Sequence, residues 1–133
     1  MDLDEARAFL REHHHGVLAT RRADGIMQSP CSSTSTARVG RSSPAAGPPS
    51  KVRNLRRDSW AQLCVVTDTF FGRWIVIQGR AQVLSLPEAM DPLIDYHERF
   101  PGENPDWDEY RARMRRQHRV LIRIELMRAG PDV

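Results

Sequence analysis

Residues 73–84 read Arg73-Trp74-Ile75-Val76-Ile77-Gln78-Gly79-Arg80-Ala81-Gln82-Val83-Leu84. β-Branched and apolar residues dominate both ends of this stretch, so it reads as one long strand. Gly79 breaks the pattern with none of the polar turn residues that would make it a loop. A lone glycine inside a strand marks a bulge or a sharp bend, as where a barrel strand turns a corner.

Upstream, Ala61-Gln62-Leu63-Cys64-Val65-Val66-Thr67 has the same composition and predicts a partner strand. Downstream, Ser85-Leu86-Pro87-Glu88 has the form of a capping box and predicts a helix with a stripe through Met90, Leu93, Ile94 and His97. A turn at Pro101-Gly102 leads to Asn104-Pro105, a second helix start. That helix carries Asp106, Asp108 and Glu109 early and Arg111, Arg113, Arg115 and Arg116 late, which complements the macrodipole. Its Trp107, Tyr110 and Met114 face inward. The final strand, Arg119 to Leu126, alternates, with Val120, Ile122, Ile124 and Leu126 on one side and Leu121, Arg123 and Glu125 on the other.

Toward the N-terminus the spacing of Leu3, Ala6, Phe9 and Leu10 predicts a helix from Asp4 to His14, capped by Asp2 or Asp4 and closed near Gly16. A short strand, Val17 to Thr20, follows. Ala23-Asp24-Gly25 is hairpin chemistry, and the next strand should begin at Ile26. Short antiparallel strands with helices at the start and between the late strands make this a mainly β, α+β fold, either a small barrel or a sandwich. The 133 residues suit a single domain spanning 1–133. There is no P-loop, no glycine-rich dinucleotide fingerprint and no βα alternation.

The net charge of +3 fits an anionic ligand, a polynucleotide or ordinary arginine-rich solubility. A nucleic-acid barrel is disfavoured by an aromatic content of 7% and by the lack of aromatic pairs among basic strand residues. Cys31 and Cys64 show no metal spacing, and Cys64 reads as an inert core thiol. His13-His14-His15 point in different directions on a helix, so no metal is expected there. No apolar run approaches the roughly 20 residues of a membrane span, and the acidic N-terminus is unlike a signal peptide, so the expectation is a cytoplasmic protein with no membrane partner.

Residues 50–58, Ser-Lys-Val-Arg-Asn-Leu-Arg-Arg-Asp, concentrate positive charge at a short helix start, and Lys51 is the chain's only lysine. On a helical wheel Val52 and Leu55 share one side, Lys51 and Arg56 flank it, and Arg53 and Arg57 point away. Lys51 therefore stands at the edge of a packed face. Just before it the pattern fails: residues 31–50 are rich in Ser, Pro, Ala and Gly with almost no large apolar side chain, the composition of a flexible linker. A linker is out of place between two segments that each look globular.

The ordered series GVLAT (16–20), KVRNLRRD (51–58), FFGRWIVIQGRAQV (70–83), NPDWDEYRARM (104–114) and RVLIRIEL (119–126) resembles the split β-barrel flavin and deazaflavin oxidoreductases. These form the pyridoxamine 5'-phosphate oxidase superfamily, and the likeness is to its branch using coenzyme F420. The resemblance covers nearly the whole chain outside residues 27–50. It implies a six-stranded split barrel, a homodimer with cofactor sites at the interface, and hydride transfer from coenzyme F420 or FMN to a small-molecule substrate. It also implies a hairpin before the lysine whose second strand ends in a Ser-Thr-Arg phosphate contact. Read one base earlier, the codons for residues 31–50 can encode a strand, a turn and a strand of that kind, as if this segment were frameshifted.

The resemblance points to Lys51 as a phosphate ligand, for which a held ammonium beside a helix start is suited; a solvated surface lysine is the alternative. Asn54, one turn on, either adds a hydrogen bond to phosphate or caps locally. Trp74 corresponds to an aromatic position near the cofactor ring, or is a core tryptophan. Gln28 and Ser29 correspond to polar strand residues beside the ring system. Arg53, Arg56 and Arg57 read as solvent-facing or dimer-rim charges, Arg56 with some reach toward the cofactor tail. No side chain reads as a catalytic acid or base, which suits chemistry carried by a cofactor. A protein that holds flavin without turnover would use the same residues.

Overall fold

The computed structural model describes residues 1–29, 37–41, 50–69, 71–98 and 106–131, with residues 37–41, 96 and 97 as backbone only. Helix α1 (Leu3–Glu12) opens the chain on a reciprocal capping box: Glu5 N–H donates to Asp2 Oδ1 at 2.8 Å and Asp2 N–H to Glu5 Oε2 at 3.2 Å. It ends two residues before the expected His14, where the N–H of His13 bonds back to the Phe9 carbonyl.

Strand β1 (His15–Arg21) turns at residues 22–26 into β2 (Met27–Gln28). Gly25 takes φ +84°, Arg22 N–H donates to the Ile26 carbonyl at 2.9 Å, and Asp24 Oδ1 accepts from Ile26 N–H at 3.1 Å. The hairpin chemistry of Asp24-Gly25 thus acts as expected, although β2 is only two residues long. Strand β3 (Ala37–Arg41) lies inside the segment that reads as a linker. It pairs antiparallel with the far end of the sheet, where edge hydrogen bonds are made by any backbone regardless of side chain. The rest of residues 31–50, up to helix α2 (Ser50–Arg57), lies outside the described residues.

Strands β4 (Trp60–Val66) and β5 (Trp74–Leu84) form the centre, followed by α3 (Met90–Glu98), α4 (Trp107–Arg116) and β6 (Arg119–Gly130). The six-stranded sheet runs β2-β1-β4-β5-β6-β3, with every neighbouring pair antiparallel. Gly79 does mark a bulge. Gln78 pairs with Arg128 and Gly79 with Leu126, leaving Met127 as the extra residue on β6. The alternation of β6 consequently slips by one: Val120 and Ile122 point into the core, and beyond the bulge Ala129 does. Side chains are excluded at Gly79 because a Cβ there would collide with the Glu125 carbonyl.

The main core lies between one sheet face and helices α1 and α2, built from Ala6, Phe9 and Leu10, Val52 and Leu55, and Leu18, Leu63, Ile75 and Ile122. A second cluster covers the opposite face at the β6 end, where Leu121 packs with Leu93, Tyr110 and Met114. Leu121 is therefore buried although the alternation of β6 turns it away from the main core. Tyr110 donates its hydroxyl to the Leu93 carbonyl at 3.1 Å, so α4 and α3 are joined by a satisfied buried group.

Helix α3 starts at Met90, later than the capping-box reading places it, because residues 86–89 form turns. The Ser85 carbonyl accepts from Ala89 N–H and its hydroxyl accepts from Arg56. Helix α4 is capped by Asp106, which accepts from Asp108 and Glu109 N–H; residues 104 and 105 lie outside the described residues. No described helix is long and apolar enough to cross a membrane.

Candidate functional site

Helix α2 packs on β1 and β5 through Val52 and Leu55, both buried, and Lys51 is half-buried in its first turn. What fixes the helix in rotation and depth is polar. Asn54 is only 6% exposed, and its Nδ2 donates to Thr20 Oγ1 on β1 and to Gln28 Oε1 on β2, each at 3.0 Å. Its Oδ1 accepts from Arg57 Nη2 at 3.1 Å, and Arg57 also reaches the Arg21 carbonyl at 2.9 Å. Arg21 and Asp58 form an ion pair, Nε to Oδ2 at 3.0 Å, and Arg21 Nη2 donates to Asp58 Oδ1 at 3.5 Å.

This arrangement has one polarity. A guanidinium only donates, so Asn54 must turn its oxygen to Arg57 and its nitrogen to Thr20 and Gln28. Gln28 must then turn its oxygen to Asn54, and its own Nε2 donors face outward. Both amide hydrogens of Asn54 are used internally, so of the two roles expected of it, a phosphate contact or a local one, the geometry shows the local one, seating α2 on β1 and β2. Arg57 is corrected: it holds Asn54 and β1 instead of pointing away. Neither Thr20 nor Arg57 is distinguishable in the sequence, because their partners lie 34 residues away and three residues away through a buried amide.

Gln28 and Ser29 are both exposed at and just beyond β2, where Gln28 meets Asn54 in the middle of α2. Lys51, Asn54 and Gln28 are thus brought together. Trp74 is not. It pairs with Val66, whereas Thr20 pairs with Ala61, which puts it about 17 Å along β4 from the Asn54 contact at 3.3 Å per residue. At 43% exposure it is no core tryptophan either. It stands on the outer sheet face with Val17, Cys64, Val66 and Val76, neighbours by strand register.

Cys64 belongs to that outer face rather than to the core, and burial pushes its thiol up from the ordinary 9.0, so it is poorly ionised. The histidines go separate ways: His13 stacks on Phe9 with ring centroids 4.4 Å apart, and His15 Nδ1 lies 3.3 Å from Asp68. Cys31 and His97 fall outside the described side chains.

A family model described as pyridoxamine 5'-phosphate oxidase matches residues 3–130. The chain belongs to the pyridoxamine 5'-phosphate oxidase family. Its fold is that family's split barrel, α+β with a predominant antiparallel sheet. Among solved structures it is similar to the conserved hypothetical protein Rv2991 from Mycobacterium tuberculosis, with a TM-score of 0.72, 23% identity, and coverage of 97% of this chain and 82% of that one. An F420 reductase gives a TM-score of 0.63 at 16% identity, covering 93% and 94%. An FAD-binding protein from Mesorhizobium loti gives 0.56 at 17%, covering 97% and 92%. These likenesses establish the fold.

Proposed function

We propose that this chain is an oxidoreductase that binds coenzyme F420 or FMN and transfers hydride to a small organic substrate. The observation that carries this reading is the half-buried Lys51 on a helix whose seat is locked through Asn54 to Thr20 and Gln28. A cation held in place, an outward amide donor at Gln28 and the Ser29 hydroxyl form a donor set that fits a phosphate-bearing cofactor with acceptor atoms on its ring.

Either cofactor supplies the hydride when bound. The chain's part is to bind and orient. Lys51 neutralises phosphate charge, and the polarity of the Arg57–Asn54–Gln28 series keeps donors pointed at ring acceptors. The β4–β5 sheet supplies an apolar wall. An F420 reductase and an FAD-binding protein among the similar folds support this class of ligand.

The working unit in this reading is a homodimer. Its support is the outer face, where Val17 is 42% and Trp74 43% exposed beside Cys64 and Val76. Apolar side chains gathered on one sheet face are a recurring mark of association. A second copy covering this face would also account for the distance between Trp74 and Lys51, each copy completing the other's site.

Titration of the purified protein with FMN and with coenzyme F420, followed by fluorescence, tests the reading. Binding of one of them at micromolar levels is expected. Failure to bind either defeats it. Steady-state oxidation of the reduced cofactor then separates an enzyme from a protein that only holds flavin.

A further inference from the structure

Away from Lys51, a groove of about 160 Å³ opens between three elements. It is lined by Arg56 of α2, Ser85 and Leu86 after β5, and His118, Arg119 and Val120 at the start of β6. On α2, residues 51 and 56 are about 140° apart around the axis and about 7.5 Å along it, so this groove and the Lys51 site use different faces of one helix.

The lining has a consistent sign. Arg56 Nη2 donates to Ser85 Oγ at 3.0 Å, so the serine oxygen accepts and its hydrogen remains to be donated. Arg119 is held by its Nε on Gln117 Oε1 at 2.9 Å, which brings a second guanidinium into the lining. Among the described residues no carboxylate lines the groove. On α4, which ends just before His118, Glu109 pairs with Arg116 at 2.8 Å and Asp108 with Arg111 at 3.6 Å.

His118 adds an independent observation. Its φ is +48°, the one positive value among described residues other than glycine, in the position just past the α4 C-cap where its N–H bonds to the Arg115 carbonyl at 3.2 Å. Glycine is the usual occupant of that position because a side chain is disfavoured in left-handed backbone. Here a side chain is kept, and it is an imidazole that lines a cationic groove.

We propose that this groove is a second anion site, distinct from the cofactor site, which takes a single oxyanion group, phosphate or carboxylate, on Arg56, Arg119, His118 and the Ser85 hydroxyl. The volume argues for a group of that size, since sites for whole drug-sized ligands run to roughly 300–1,000 Å³. Leu86 and Val120 are the apolar members of the lining.

The test is backbone NMR of the isotope-labelled full chain titrated with inorganic phosphate and, separately, with succinate. Saturable shifts at the Ser85, His118 and Arg119 amides are expected with at least one of them, and the comparison tells phosphate from carboxylate. Arg56→Gln should weaken binding at least fivefold while keeping the folded spectrum. His118→Gly should weaken it too and yet raise Tm, a combination that a merely structural histidine would not produce. Lys51→Met should leave these shifts and their dissociation constant unchanged. Absence of saturable shifts at the three amides, or equal affinity in wild type, Arg56→Gln and His118→Gly, overturns the proposal. Loss of the shifts in Lys51→Met overturns the claim of a separate site.

Discussion

Asn54 gives one amide hydrogen to Gln28 Oε1 and the other to Thr20 Oγ1, both at 3.0 Å, from a side chain that is almost wholly buried. A helix, the strand it packs on and the next strand are thereby tied at one point. Because Arg57 can only donate to Asn54, the orientation of each amide in the series follows from the one before it. Gln28 therefore turns its Nε2 donors outward.

Asn54→Asp reverses that polarity with little change of shape. The carboxylate accepts from Arg57, from the Thr20 hydroxyl and from Gln28, so Gln28 must turn its nitrogen inward and its carbonyl outward. FMN or F420 affinity is expected to fall about tenfold, the equivalent of 1.4 kcal/mol. Fluorescence titration measures this, and the side-chain amide resonances of Gln28 report the flip without any cofactor. Unchanged resonances would rule out the flip, whatever happens to affinity.

Lys51→Met keeps the length and the apolar stem of the side chain but removes its charge. Hydrogen bonds to a charged group contribute about 1.5–3 kcal/mol, so cofactor affinity should drop at least tenfold. Thermal stability should hardly move, because α2 is seated by Val52, Leu55 and Asn54. Equal affinity in the two proteins would make Lys51 an ordinary surface lysine.

Gly79 stands where the backbone of β6 comes closest. Gly79→Ala puts a methyl group onto the Glu125 carbonyl at the bulge, and neither strand can yield without breaking register. A destabilisation of about 3 kcal/mol is expected, the upper range for overpacked sites. Chemical denaturation measures it; a loss below that of an ordinary surface substitution would mean that the bulge is not rigid.

Cys64 should react slowly with iodoacetamide at neutral pH in a Cys31→Ser background. Its folded pKa is raised by burial, so the unfolded thiol ionises first as pH climbs. The unfolded state then binds fewer protons than the folded one, and stability falls between the free-thiol pKa of 9.0 and the higher folded value. Alkylation of the folded protein should accelerate only above the free-thiol range, while urea-unfolded chain reacts at lower pH. Matching pH profiles in the two states would contradict the shift.

Most of the sheet was legible because its strands alternate and are bounded by turn residues, as with Asp24-Gly25 and Gly79. The second core was only half legible. The alternation of Leu121 placed it away from the main core, and nothing local announces that α3 and α4 cover that face. The place of Lys51 was readable, since its position beside Val52 and Leu55 follows from helical spacing. The inward use of the Asn54 amide and the distance of Trp74 from it along the sheet were not legible, since both are set by tertiary pairing.

Residues 31–50 remain the point where sequence and family part. If the gene is read one base earlier there, each codon takes the third base of its predecessor, and the genetic code limits what can result. The codons of Pro44 and Ala45 can then encode Thr-Arg, but that of Ser43 cannot encode serine, so the shifted strand ends in Thr-Arg and not in the full Ser-Thr-Arg expected. Even so, a threonine and an arginine just before Lys51 would complete a phosphate clamp that Pro44-Ala45 cannot make. Resequencing the gene is expected to find the shifted frame across this segment, and the intact protein's mass to differ from that of the sequence as it stands. A mass that agrees with that sequence would rule out a sequencing error and leave Lys51 to hold phosphate without that partner strand.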